Sequence, residues 1–380
     1  MNGGGQGTGD GGRPADLQAR LLAVIARGAH APLDDAGLDA LARDVFAHQY
    51  ECNAPYRAFC DRRGATPGTV AGWDDVPAVP TDAFKAAALV CGDPAGAAAV
   101  FRTSGTTQGR ERRGVHYLPD LALYDAALRA GFSAHLLPDG ARPLVLSLVP
   151  SPADLPDSSL SHMVGEVMGD VGAPGSGWFV SADGGIAHGA LSDALRAAEA
   201  EGTPVCIPGT AFAFVHWLDA LRAAGERFRL PEGSRVMDTG GFKGRAREVT
   251  REELYAGIEE RLGIAPAWCV NEYGMTEMSS QFYDGVAGSA AAPAERVHVW
   301  PAWVRTRAAD PETLRPLPDG EVGVLRHCDL ANLNSVMAIQ TADLGFTTPR
   351  GFRVLGRARG AEARGCSIAM DELLSALRLS

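Results

Sequence analysis

Residues 204–271 read PVCIPGTAFAFVHWLDALRAAGERFRLPEGSRVMDTGGFKGRAREVTREELYAGIEERLGIAPAWCVN, and the order of apolar runs and helical periods in this stretch decides the fold. Pro204–Pro208, Ser234–Asp238 and Pro266–Asn271 are apolar runs of strand length. Between them, Ala211–Ala224 and Thr250–Leu262 carry apolar residues at helical spacing. Strand, helix, strand, helix, strand predicts an α/β sheet with mostly parallel strands. Upstream, helices are expected over Ala15–Arg27, Leu38–Gln49 and Asp120–His135, with Leu38, Leu41, Ala42 and Val45 sharing one face of the second. Arg142–Pro150 reads as a short buried strand ended by proline. After Val297 the strands become shorter and turn-separated, with Pro318–Gly320 marking a turn before Glu321–His327, so a β-rich subdomain is expected there. Residues 1–14 are too rich in glycine to offset the entropy of ordering and are expected to be a disordered tail.

The chain has 380 residues, 46% of them hydrophobic and 21% charged, enough for a substantial core. A net charge of −11 and the lack of a basic stripe argue against nucleic acid as a partner. No apolar run approaches the roughly 20 residues of a bilayer span, and the start lacks the charged and apolar regions of a signal peptide. A cytoplasmic protein without membrane contact is expected. The seven cysteines are odd in number, with no CxxC pair and no zinc-type spacing, so they read as free thiols, with Cys206 and Cys269 buried in strands. Lys85 and Lys243 are the two lysines of the chain.

Three segments carry candidate chemistry. Phe101–Arg110 is a Ser/Thr/Gly loop whose backbone amides and hydroxyls suit a triphosphate, with Ser104, Gly105, Thr106 and Thr107 at its centre. It lacks the GxxxxGK[ST] pattern of a P-loop, and alone it reads equally as a plain turn. Val270–Met278 follows a strand, at the end where open α/β sheets place ligands. There Tyr273 offers a flat face for a base, Thr276 a hydroxyl for a phosphate oxygen and Glu277 a hard oxygen ligand for magnesium. Gln340–Gly345 presents the Asp343 carboxylate at a turn, placed to hold a ribose diol.

The ordered set, followed by Gly356-Arg357, resembles the adenylate-forming superfamily of acyl-CoA synthetases and luciferases. Gln49–Tyr56, Pro80–Lys85, Leu155–Met163, Gly209–Phe212, Gly240–Gly244, Asn271–Gln281 and Ala363–Ser367 resemble more specifically the acyl-protein synthetase family of bacterial bioluminescence, over about residues 40 to 375. The resemblance implies an α/β adenylate-forming large domain, with parallel sheets plus a β-rich subdomain, and a mobile C-terminal domain reduced to a short tail. The implied division is an adenylation core over 15–355 and a vestigial segment over 356–380.

The implied reaction joins a carboxylic acid to AMP from ATP with Mg2+, then passes the acyl group to a thiol. By position, Ser104, Gly105, Thr106 and Thr107 would hold phosphates. Gly240, Gly241 and Tyr273 would border adenine, Thr276 would touch the α-phosphate, Glu277 would bind the metal, and Asp343 and Arg357 the ribose. The superfamily's catalytic lysine comes from the missing domain, so Lys243 is the best substitute cation and Lys85 a less specific one. Cys366 resembles the family's acyl-accepting cysteine, and the final acceptor would be a protein or carrier protein. His162 reads either as a lining of the acyl pocket or as a structural histidine. Two departures stand out, Thr-Thr-Gln-Gly for the commoner Thr-Thr-Gly, and Arg110 at the basic end of the loop. A phenylacetate-type acid–CoA ligase and a non-catalytic adenylation-like scaffold are the competing expectations.

Overall fold

A computed structural model describes residues 12–104, 113–240, 249–289, 291–358 and 370–375. Three helices open the chain: α1 (Gly12–Ala26), α2 (Asp35–Cys52) and α3 (Ala54–Arg62). Asp34 caps α2 by accepting from the Gly37 N–H, and Asn53 ends α2 while capping α3 through Tyr56 N–H. Next come β1 (Val79–Pro80), α4 (Ala83–Ala86) and the hairpin of β2 (Ala99–Arg102) with β3 (Val115–Leu118), followed by α5 (Ala122–Leu136).

A six-stranded sheet follows, in the order β5-β4-β6-β7-β8-β9. It comprises β4 (Leu144–Ser147), β5 (Gly177–Trp178), β6 (Val205–Thr210), β7 (Arg235–Thr239), β8 (Cys269–Tyr273) and β9 (Phe282–Tyr283). All its pairings are parallel except β8 with β9. The connecting helices are α6 (Ser159–Val171), α7 (His188–Glu201), α8 (Ala211–Ala224) and α9 (Arg251–Leu262). Val205, Ile207, Val236 and Cys269 pack with α7, α8 and α9, whereas Cys206, Met237 and Val270 pack with α5 and α6. Burial on both faces explains why these strands read as continuous apolar runs. Each buried Val, Ile or Met side chain among them contributes about 1.5–3 kcal/mol. Thr250 and Glu253 close a capping box at the start of α9, and Gly263, at φ 74°, ends it in the left-handed conformation.

The β-rich part forms a second sheet from β10 (Val304–Ala309), β11 (Gly323–Asp329), β12 (Ala338–Thr348) and β13 (Gly351–Arg357), with β1 parallel to β12 at its edge. Helices α1 to α3 pack against this sheet through Leu21, Phe46 and Phe59, which meet Leu325, Ile339 and Phe352 in one apolar cluster. Among the described residues no helix is long and apolar enough to cross a membrane.

Some expectations are corrected. Cys52 and Cys91 form a disulfide, so they are not free thiols; 39 residues separate them, and tertiary packing of the α2 terminus brings them together. Cys60, Cys206, Cys269 and Cys328 are free and buried, as expected of small apolar side chains. The strand expected over Arg142–Pro150 is reduced to Leu144–Ser147, because the Ser147 hydroxyl bonds the Val149 N–H and carbonyl and turns the chain. Pro266–Trp268 forms a short 3-10 turn, so β8 begins only at Cys269.

Candidate active site

The segment after β8 is clamped from three sides. The His116 ring on β3 donates from Nδ1 to the Thr276 carbonyl at 2.7 Å, and burial lowers its pKa to about 4, leaving it neutral. Asn332 donates to the Glu277 carbonyl at 2.9 Å. Asp329 accepts from Ser279 N–H at 3.0 Å and from the Ser280 hydroxyl at 2.8 Å. These bonds hold Thr276 and Glu277 where the parallel sheet meets the β-rich sheet.

Glu277 is 7% exposed, and burial pushes its carboxyl up to about 7. Arg357 and Lys85 favour its charged form and Asp82 opposes it. Lys85 is itself bound to Asp82, 2.8 Å from Nζ to Oδ1. A buried carboxyl so short of positive charge fits a divalent cation, which asks for hard oxygen ligands and restores the ionised form.

The Tyr273 hydroxyl donates to Asp343 Oδ2 at 2.9 Å, and Asp343 Oδ1 lies 3.4 Å from Arg357 Nε. Asp343 does not lie at the expected turn: Gln340–Gly345 falls inside β12, and Asp343 and Arg357 are register partners on β12 and β13, so the pairing follows from the ladder. The Tyr273 ring packs among Phe282, His298, His327 and Phe352, with centroids 5.6–5.9 Å away. Tyr273 is thus a brace between the sheets as well as a candidate wall for a base. Gly240 lies exposed at the end of β7 with φ 74°, a conformation suited to glycine.

The base of the Ser/Thr/Gly loop is fixed by Arg113, which donates to the Thr103 carbonyl at 2.6 Å and pairs with Asp157 at 2.7 Å. The Thr103 hydroxyl accepts from Gly114 N–H at 2.9 Å, so the two ends of the loop are joined. Ser104 is exposed beside this base.

The acyl-protein synthetase (LuxE) family matches residues 173–375, more than half of the chain. The chain belongs to this family. The long-chain-fatty-acid–luciferin-component ligase of Vibrio harveyi is 22% identical over 351 residues, covering 88% of this chain and 88% of that one. The protein of the same name from Aliivibrio fischeri is 33% identical over 89 residues, covering 21% of this chain and 23% of its own length. Among solved structures, 2-hydroxyisobutyryl-CoA ligase in its postadenylation state with 2-HIB-AMP matches with a TM-score of 0.63 at 17% identity, covering 87% of this chain and 70% of that chain. The fold is therefore that of adenylate-forming ligases, and membership in the acyl-protein synthetase family makes the chain an enzyme of the ligase class.

Within this acyl-protein synthetase, Tyr273, Thr276, Glu277, Asp343 and Arg357 come together where the two sheets meet, while Gly240 directly follows β7 and Ser104 lies between β2 and β3. Gly105, Thr106, Thr107, Gly241, Lys243 and Cys366 lie outside the described residues. His162 bonds Asp125 at 2.7 Å and packs on Phe101 and Tyr124. Sequence reading missed His116, Asp329 and Asn332, which hold the Thr276–Ser280 backbone from far along the chain. It also missed Glu272, whose carboxyl burial pushes up to about 7. Its place directly before Tyr273, at the end of an apolar strand, was the available signal.

Proposed function

We propose that the chain activates a carboxylic acid with ATP and passes the acyl group to a thiol. In the first half-reaction a carboxylate oxygen attacks the α-phosphorus, the bond to the oxygen bridging to the β-phosphorus breaks, and pyrophosphate leaves with the electron pair. In the second, a thiolate attacks the acyl carbon and AMP leaves. Both steps depend on placement and charge neutralisation, so no general base is required.

In this reading Ser104, Gly105, Thr106 and Thr107 hold the phosphates, Thr276 the α-phosphate, Gly240, Gly241 and Tyr273 the adenine, and Asp343 with Arg357 the ribose. Lys243 supplies the cation near the reacting phosphate. Mg2+ held by Glu277 would neutralise charge on the phosphates. The observation that carries the reading is the meeting of Tyr273, Glu277, Asp343 and Arg357 at one junction in a chain of this family.

Cys366 is the first acceptor and a partner protein's thiol the next; the ligase names of the relatives support an acid substrate and a protein acceptor. The core spans 15–355, and 356–380 serves as the acceptor arm. Ala358 N–H bonds the Ala342 carbonyl, Leu373 is buried, and Glu372 pairs with Arg63 at 2.6 Å, so the arm is anchored on both sides of Cys366.

Acid-dependent ATP–pyrophosphate exchange over a panel of acids tests the first half-reaction. Exchange with at least one acid is expected; none across the panel would favour a non-catalytic scaffold. Acyl transfer to CoA in preference to any protein thiol would favour the CoA ligase alternative.

A further inference from the structure

His48, Cys52 and Cys91 meet at the end of α2, and none of them has a part in the adenylation chemistry proposed above. His48 and Cys52 are four residues apart on this helix, so their side chains share a face one turn apart. Cys91, in the segment after α4, is brought onto that face. The imidazole and sulfur ligand atoms of the three residues all lie within 4.8 Å of one another. Tertiary packing thus assembles a Cys2His set that no spacing in the sequence announces. Cys52 is also the last residue of α2, where the helix dipole favours a cation.

A fourth group completes the cluster. His48 Nε2 lies 3.6 Å from Cys52 Sγ and 3.3 Å from Asn334 Oδ1. Asn334 Nδ2 donates to Asp120 Oδ2 at 3.1 Å, which fixes the amide so that its oxygen faces the histidine. The Cys91 N–H donates to the Asn334 carbonyl at 2.9 Å, tying the second cysteine to the same residue. Gln49, next along α2, donates to the Asn332 and Leu333 carbonyls at 2.8 and 3.0 Å and accepts from the Met337 N–H at 3.0 Å, so the helix and the segment bearing Asn334 are held in register. In a tetrahedral zinc site, bonds of about 2.0–2.2 Å to nitrogen and oxygen and about 2.3 Å to sulfur place neighbouring ligand atoms roughly 3.3–3.8 Å apart. The two edges that start at His48 Nε2 already have such lengths. The edge between the sulfurs is the one taken up by the disulfide.

We propose that, once a dithiol has reduced the Cys52–Cys91 disulfide, His48 Nε2, Cys52 Sγ and Cys91 Sγ bind one Zn2+ with Asn334 Oδ1 in the fourth position. The dithiol gives up two electrons and two protons and becomes a disulfide itself, leaving Cys52 and Cys91 as thiols. Zinc binding then releases the two thiol protons to solvent, and His48 binds as the neutral imidazole. Two thiolates and an imidazole select zinc over magnesium, which takes oxygen ligands, so this site does not compete with Glu277. Disulfide and metal exclude each other, and each ties the end of α2 to the segment after α4.

The test uses the full chain, reduced with dithiothreitol, freed of it under nitrogen and titrated with Zn2+ or, as a coloured probe, Co2+. Reduced wild type should bind one Zn2+ per chain, and the metal should protect two thiols from alkylation, counted by intact mass. Co2+ should give thiolate charge-transfer absorption and the intense d–d bands of a tetrahedral site. The chain with the disulfide intact should bind neither ion. His48→Ala, Cys52→Ser and Cys91→Ser should each weaken Zn2+ binding by about 10-fold or more. Cys366→Ser should bind as the wild type does. Should a cysteine variant fail to fold, His48→Ala, which keeps the disulfide, carries the test. A reduced wild type that takes up no zinc, uptake unchanged in His48→Ala or in a folded Cys52→Ser, or uptake lost in Cys366→Ser overturns the inference.

Discussion

The Tyr273 hydroxyl and the Asp343 carboxylate, 2.9 Å apart, join the end of β8 in the parallel sheet to β12 in the β-rich sheet. Seventy positions apart in sequence, they make the candidate nucleotide site a junction rather than a feature of either sheet. A hydrogen bond to a charged group contributes about 1.5–3 kcal/mol. Tyr273→Phe should therefore lower unfolding stability by that order, which denaturant titration measures. Asp343→Ala should reduce ATP use by roughly 10- to 150-fold, read as kcat/KM for ATP. An unchanged ATP dependence would remove Asp343 from the ribose site.

Glu277 gives a pH-dependent signature. Its folded pKa, about 7, lies above the ordinary carboxyl range, so the folded chain binds more protons there than the unfolded chain. The stability this group contributes is full below the unfolded pKa and is lost as pH rises through about 7. The neutral buried His116, His135, His298 and His327 act in the opposite sense at lower pH, since burial depresses their pKa. Comparing wild type with Glu277→Gln isolates the carboxyl. The variant should gain stability relative to wild type as pH rises from about 5 to 8, by up to about 3 kcal/mol. It should also lose acid-dependent pyrophosphate release. Thermal melts across that range, with and without Mg2+ and ATP, check both expectations; near-normal turnover would withdraw Glu277 as the metal ligand.

The Cys52–Cys91 bond closes a loop of 39 residues and ties the end of α2 to the segment after α4. Its removal in Cys52→Ser should cost about 2–4 kcal/mol. Wild type under reducing conditions should melt like the variant, and under non-reducing conditions well above it. Coincident melting curves in all three cases would show that the bond does not form in solution.

The parallel sheet was legible because burial on both faces leaves β6, β7 and β8 as apolar runs, and because α8 and α9 keep their apolar faces in register with helical spacing. The Tyr273–Glu277 segment was legible for the same reason, since it sits directly after such a strand. Three kinds of feature were not legible. β1 is two residues long and gains its meaning only by pairing with β12. Asn332 reaches the Glu277 carbonyl across 55 positions through a side chain that no local pattern marks. Cys52 and Cys91 meet only after α2 has packed. Each depends on tertiary placement, which spacing in a single sequence does not encode.

The most direct test of acyl activation followed by transfer to Cys366 is intact-mass spectrometry after incubation with ATP and an acid that supports pyrophosphate exchange. Adenylate formation needs no thiol, whereas a covalent acyl-enzyme does. Wild type should gain one acyl mass that hydroxylamine removes, while Cys366→Ser should keep the exchange and gain no mass. A wild type that exchanges pyrophosphate yet never gains the acyl mass, or a Cys366→Ser variant that gains it equally, would contradict the assignment of Cys366 as the acceptor.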